Sequence, residues 1–318
     1  MKGLIIKIFK KLGLYEGISN RRHGKLLTKK YKFEDRKKNK KAVCFILAGY
    51  KEFAYDAVFG RVKKYQPDNV EVCILSSGKY SEKLSKIAKK NGWSYLSTKR
   101  NNVSLIQNVA NKVFDKAEYI YKLDEDIFVT KGFFETLMKT YEDCEKKGDY
   151  KVGFVAPTIP INGFGHMLVL ERFNLIDKYT KKFERPIYAA GPDRMIESNP
   201  EVAKFMWGEG GYLPNIDKIS ETLSKDKFAY VACPIKFSIG AILYKRSLWV
   251  EHNMFTVSKD SGLGNDELEL CGYLTYDSKA IIVSKNVAVG HLSFGKQNGP
   301  MKEYFMEHKQ LFEVPKGK

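Results

Sequence analysis

Between residues 42 and 126 the chain alternates short apolar runs with longer amphipathic stretches, and this rhythm narrows the fold more than any other feature. Residues 42–48 form an apolar run closed by Gly49, and residues 70–75 form a second, closed by Ser76, Ser77 and Gly78. Residues 93–97 and 119–123 supply two more. Runs this short, without strict alternation, are the pattern of strands buried on both faces. Residues 53–64, 80–91 and 103–116 read as helices, and Asn91–Gly92 is a helix stop signal. Strands alternating with helices over short links predict a parallel sheet wrapped by helices, an α/β fold.

After about residue 150 the rhythm breaks. Residues 152–156, 239–244 and 280–283 read as strands, and residues 300–312 as a helix. Three stretches rich in Gly, Pro and aromatics (157–167, 186–193 and 206–216) read instead as loops around a binding site. Phe205, Trp207 and Tyr212 suit either a sugar-stacking surface or an apolar crossing over the core. Glu209 is the carboxylate of that stretch.

Composition removes several classes. With 318 residues and 43% hydrophobic content, the chain can bury a full core, which excludes global disorder. No apolar run reaches the roughly 18–20 residues of a spanning helix, and no period of the kind that builds solenoids is present. Cys44, Cys73, Cys144, Cys233 and Cys271 show no paired spacing, so they read as core residues of a protein from a reducing compartment.

The net charge of +18 is unevenly placed: residues 1–41 hold 15 Lys and Arg against three acids. Ile5, Ile8, Phe9 and Leu12 recur at helical spacing among lysines, and residues 21–41 are polybasic. An apolar stripe followed by a basic stretch is the two-signal arrangement of a peripheral membrane anchor on an anionic surface. A helix packed on the protein's own core and a nucleic-acid arm are the competing readings.

Residues 119–123 run directly into Asp124, Glu125 and Asp126. In an open parallel sheet, ligands bind beyond the carboxyl ends of the strands. Asp124 and Asp126 are two residues apart, so in extended chain they face the same way. Two hard oxygen donors facing one point suit Mg²⁺ or Mn²⁺, whose shell a diphosphate can complete. Glu125 points away from that place, toward a helix N-terminus or solvent. The plainer reading is an acidic turn capping the next helix.

From Lys41 to about Leu137 the order of these segments resembles the nucleotide-sugar half of GT-A glycosyltransferases, in particular the family 2-like group. The resemblance rests on Ala48-Gly49-Tyr50, Leu75-Ser76-Ser77-Gly78, Lys99-Arg100-Asn101, Gln107-Asn108 through Asn111, Leu123-Asp124-Glu125-Asp126 and Gly132-Phe133-Phe134. It implies a Rossmann-like, mostly parallel sheet flanked by helices, with an irregular acceptor-side half. The implied organisation is a basic segment over 1–40, a donor half over 41–150, an acceptor half over 151–298 and a tail over 299–318. Donor contacts then fall on Ala48, Gly49, Tyr50, Ser76, Ser77, Arg100, Asn101, Asn108, Asp124 and Glu125. Where family members often place a base-reading acid after the second strand, this chain has Ser76-Ser77.

Downstream, residues 237–246 resemble the Gly-containing strand on the acceptor side. Gly264 to Leu270 resembles the acidic element that supplies the base of inverting members. That register puts Glu267 at the base and Asp266 beside it, and a shift of one exchanges them. His291 resembles the third metal ligand, after Asp124 and Asp126, and Lys99, Arg100 or Lys296 would add charge near the phosphates. The resemblance implies a metal-dependent hexosyltransferase using a nucleotide sugar, UDP-sugar favoured, with a glycan or lipid-linked acceptor in surface polysaccharide synthesis. Its place would be cytoplasmic, at the inner face of the membrane. A sugar nucleotidyltransferase is the neighbouring alternative, but residues 48–51 are a poor phosphate loop. A nucleic-acid-binding protein would carry basic and aromatic residues interleaved over the folded part, and here the charge concentrates at the N-terminus.

Overall fold

The computed structural model describes residues 23–315. The amphipathic stripe over residues 5–12 therefore lies outside the described residues. A nine-stranded sheet in the order β1-β4-β3-β2-β5-β9-β7-β10-β8 runs through the protein. Its first half is built from β1 (Tyr31–Glu34), β2 (Ala42–Leu47), β3 (Val70–Ser77), β4 (Ser94–Thr98) and β5 (Tyr119–Asp124). β2 to β5 are mutually parallel, as the alternation predicts. Their connections are α1 (Tyr55–Tyr65), α2 (Glu82–Asn91) and α3 (Val103–Val113). Local chemistry sets these boundaries. Ser81 accepts the Leu84 amide at the start of α2, and Gly92 ends that helix in the left-handed conformation. Asn102 caps α3 by accepting the Leu105 amide.

The short strand β6 (Ile127–Phe128) and α4 (Phe133–Lys147) follow, then β7 (Val152–Thr158). Six helices intervene before and among the remaining strands: α5 (Gly165–Arg172), α6 (Ile176–Lys182), α7 (Met195–Ser198), α8 (Pro200–Met206), α9 (Ile216–Ser224) and α10 (Arg246–Glu251). β8 (Tyr230–Cys233), β9 (Ala241–Lys245), α11 (Asn265–Tyr276), β10 (Ala280–Ala288), β11 (Gly290–His291) and α12 (Asn298–Glu307) complete the chain. β9 is antiparallel to both β5 and β7, and β10 is parallel to β7. Hence β2, β3, β4, β5, β7 and β10 point the same way, and the sheet is mostly parallel, flanked by helices.

Two expected boundaries move. The fold starts before Lys41, because β1 pairs antiparallel with β4 as an edge strand and Lys25 ion-pairs with Glu269 of α11. Nor do residues 299–315 form a separate tail: Met301, Tyr304, Phe305 and Phe312 are buried. The fully buried Arg61 of α1 fastens this end. Its guanidinium makes two 2.8 Å bonds to Asp217 and donates to the carbonyls of Phe312 and Glu313, each at 2.8 Å. All five cysteines are buried and unpaired, and no helix among the described residues is long and apolar enough to cross a membrane.

Candidate active site

The carboxyl ends of β2, β3, β4 and β5 lie along one edge of the sheet, and the antiparallel β9 begins at the same edge. The register pairs Leu123 with Ala241, and the Asp124 amide donates to the Gly240 carbonyl at 2.8 Å. The turn before β9 therefore lands beside the carboxylate pair. A second pairing brings in the C-terminal part of the chain. β11 pairs with β6, setting His291 opposite Ile127, and the Leu292 amide donates to the Asp126 carbonyl. These pairings enclose a cleft of about 460 Å³ whose walls include Ala48, Tyr50, Ser77, Asp124, Asp126, Asp266, Glu267 and His291.

Each acid in the cleft has a defined partner, and three of the partners are lysines. Lys122 Nζ lies 2.6 Å from Asp124 Oδ1, and Lys51 Nζ lies 2.5 Å from Asp126 Oδ2. Lys236 Nζ lies 2.5 Å from Glu267 Oε1. Asp266 is buried and accepts from Gln107 Nε2 at 2.9 Å. Burial pushes the Asp124 carboxyl up, with the Lys122 ammonium opposing it. Burial also works against the Asp126 anion, but His291 and Lys51 outweigh it and hold Asp126 well below the usual range. Asp266 is raised by burial, again against Lys122. For Lys122 itself, burial disfavours the ammonium, yet Asp124 and Asp266 prevail and raise it. Interleaving cations with acids is what lets so many carboxylates share one cleft.

A divalent ion is tested by the donor set. Asp124, Asp126 and His291 offer two carboxylates and an imidazole at one cleft, with His291 Nε2 3.3 Å from Asp126 Oδ2. His291 Nδ1 is buried without a hydrogen-bond partner. Among the described residues no three such side chains are already gathered round a point, because Lys122 and Lys51 hold the two carboxylates. In kind the residues fit Mn²⁺ or Mg²⁺.

The other expected residues divide between the cleft and its surroundings. Glu125 faces away from the carboxylate pair, and its oxygens accept the amides of Gly49 and Tyr50 at 2.8 Å, so it shapes the β2–α1 turn more than it presents a free carboxylate. Asn108 is corrected outright. It is buried outside the cleft, its amide bonded to Trp249 and to both backbone groups of Phe255. The Ser76 hydroxyl is occupied by the Lys79 carbonyl and Tyr95, whereas Ser77 faces the cleft. Asn101 sits at the margin, where Oδ1 accepts from both Tyr50 and Ser77. Arg100 turns to the Ser258 carbonyl, and Lys99, Arg100 and Lys296 are exposed away from the cleft lining. Glu209 does not line the cleft. Trp207 is buried against Phe128 and Phe312, which makes this stretch an apolar crossing over the core.

Sequence reasoning missed the three lysines. Lys122 had a signal, since it precedes Asp124 by two in a strand and so shares its face. Lys51 was visible only as part of the turn after β2. Nothing local marks Lys236, which lies 31 positions from its partner.

No family model matches the chain, and no curated protein sequence matches it. Among solved structures the chain is similar to the crystal structure of GalNAc-T7 with UDP, GalNAc and Mn²⁺, with 13% identity and a TM-score of 0.49. The similarity covers 89% of this chain and 53% of that one, so this chain spans about half its length.

Proposed function

We propose that this protein is a GT-A type glycosyltransferase that moves a sugar from a nucleotide-sugar donor to an acceptor hydroxyl. The observation that carries the reading is one cleft, at the carboxyl edge of a mostly parallel sheet, walled by Asp124, Asp126 and His291 together with Asp266 and Glu267. The first three would hold a divalent ion. When bound, such an ion offsets negative charge growing on a departing diphosphate.

The chain's own residues do the rest. Tyr50 and Ser77, with Asn101 beside them, form the polar margin for the nucleoside, and Leu47, Leu75 and Val103 give it an apolar floor. A sugar hydroxyl is a weak nucleophile at neutral pH. Glu267 takes its proton as the oxygen bonds to the anomeric carbon and the bond from that carbon to the diphosphate oxygen breaks. Asp266, fixed by Gln107, stands beside it. A carboxylate base in this place is what inverting, single-displacement transfer requires.

The finer reading is a hexosyltransferase using a UDP-sugar, with a glycan or lipid-linked acceptor in surface polysaccharide synthesis. The basic N-terminal segment would hold it at an anionic membrane on the cytoplasmic side. The test is thermal shift with UDP and a panel of UDP-sugars, with and without Mn²⁺. Stabilisation should need the metal and vanish in Asp126→Ala. Equal stabilisation without metal, or in that variant, would count against the assignment.

A further inference from the structure

We propose that Lys236 is a positioning residue for the transfer step, fixing Glu267 at the acceptor side of the cleft. The proposal rests on the reading of Glu267 as the base.

The geometry is a contact between parts of the molecule far apart in sequence. Lys236 Nζ is 2.5 Å from Glu267 Oε1, whereas the other oxygen of Glu267 meets only a long 3.4 Å contact from the Ile239 amide. The ammonium is thus the short bond that sets this side chain. Both groups are shielded, with side-chain exposures of 35% for Lys236 and 18% for Glu267. A second carboxylate, Glu197 of α7, adds a longer-range charge that favours the Lys236 ammonium. Glu197 is buried, and its oxygens accept the amides of Gly163 at 3.3 Å and Gly191 at 2.9 Å. Those glycines belong to the two irregular stretches on the acceptor side.

A glutamate has several rotatable bonds, and a base must stay within hydrogen-bond reach of the hydroxyl it deprotonates. Without the ammonium, the Glu267 side chain would keep only the 3.4 Å contact. The charged groups around this pair are Lys122 from β5, Asp266 from α11 and Glu197 from α7, with the Cys271 thiol close to Lys236.

The experiment uses the full chain with Mn²⁺ and the UDP-sugar that gives the largest thermal shift, following UDP release. Lys236→Met is expected to lower kcat at least tenfold and leave KM for the donor within twofold. Lys236→Arg should restore most of kcat. UDP with Mn²⁺ should still stabilise each variant, which separates a lost position from a lost fold. Should Lys236→Met fail that check, Lys236→Gln takes its place. A Lys236 variant with unchanged kcat, beside an inactive Glu267→Gln, overturns the proposal while sparing the base. A fully active Glu267→Gln removes the base and this role with it.

Discussion

Lys122 and Asp124 lie two residues apart on one strand, point to the same face, and meet at 2.6 Å. The strand thus carries a cation and an anion into the floor of the cleft together. Lys122 is nearly sealed from solvent, while Asp124 opens toward the cleft. The ammonium also offsets Asp266, so it links the carboxylate pair to α11.

Replacing Lys122 with Met leaves both acids facing each other. The expected cost is about 2 kcal/mol, below the value for a fully buried pair because Asp124 is partly open. That corresponds to a fall of roughly 3–5 °C in Tm. Mn²⁺ should restore more of the Tm in the variant than it adds to the native protein, since Asp124 is then released. A scan with and without Mn²⁺ checks both.

Glu269 gives the sharpest pH dependence. Burial disfavours its anion, but bonds from His252, Lys25 and Thr256 outweigh this and bring it from 4.5 down to about 2. A carboxyl lowered on folding stabilises above its unfolded value, and that stability drains away as pH falls through the folded one. The window here runs from about pH 4.5 to about pH 2, and the contribution is about 3 kcal/mol. Glu269→Gln should be less stable at pH 7 by about that amount, with the difference closing toward pH 2 in denaturant titrations.

Arg61→Met should cost about 3–5 kcal/mol, because Asp217 and the backbone carbonyls of Val129, Phe312 and Glu313 lose their partner. The loss should be local as well as global. Limited trypsin digestion is expected to cut after Lys309 in the variant before the rest of the chain yields, and equal digestion would count against the clamp.

Gly290→Ala tests the route by which His291 reaches the site. A Cβ on residue 290 would stand 2.2 Å from the Trp207 ring, and the indole donates to the His291 carbonyl. Relieving that overlap should cost about 1–3 kcal/mol. It should also weaken Mn²⁺-dependent stabilisation by UDP, which a side chain placed elsewhere on the surface would not.

Asp266→Asn compares the two neighbouring acids. Glu267→Gln is expected to abolish transfer while UDP binding survives. Asp266→Asn should keep partial activity, because the amide can still accept from Gln107. Reversed outcomes would exchange the two roles.

The amino-acid sequence alone determined β2 to β5, the helices between them, and the carboxylates at the end of β5. Hydrophobic periodicity and capping residues act within a dozen positions, so they are legible without tertiary context. It also placed Asp266 and Glu267 at a helix start. Only tertiary structure decided the company these acids keep. His291 reaches Asp126 through the β6–β11 pairing, Lys236 reaches Glu267 across β9, α10 and the loop that follows, and β1 joins the sheet from a stretch that reads as polybasic. Asn108 shows the reverse error, since a polar residue on a helix looks available until the fold buries it among Trp249 and Phe255. The reason is physical: burial and charge pairing belong to contacts between distant segments, and a local pattern carries no term for them.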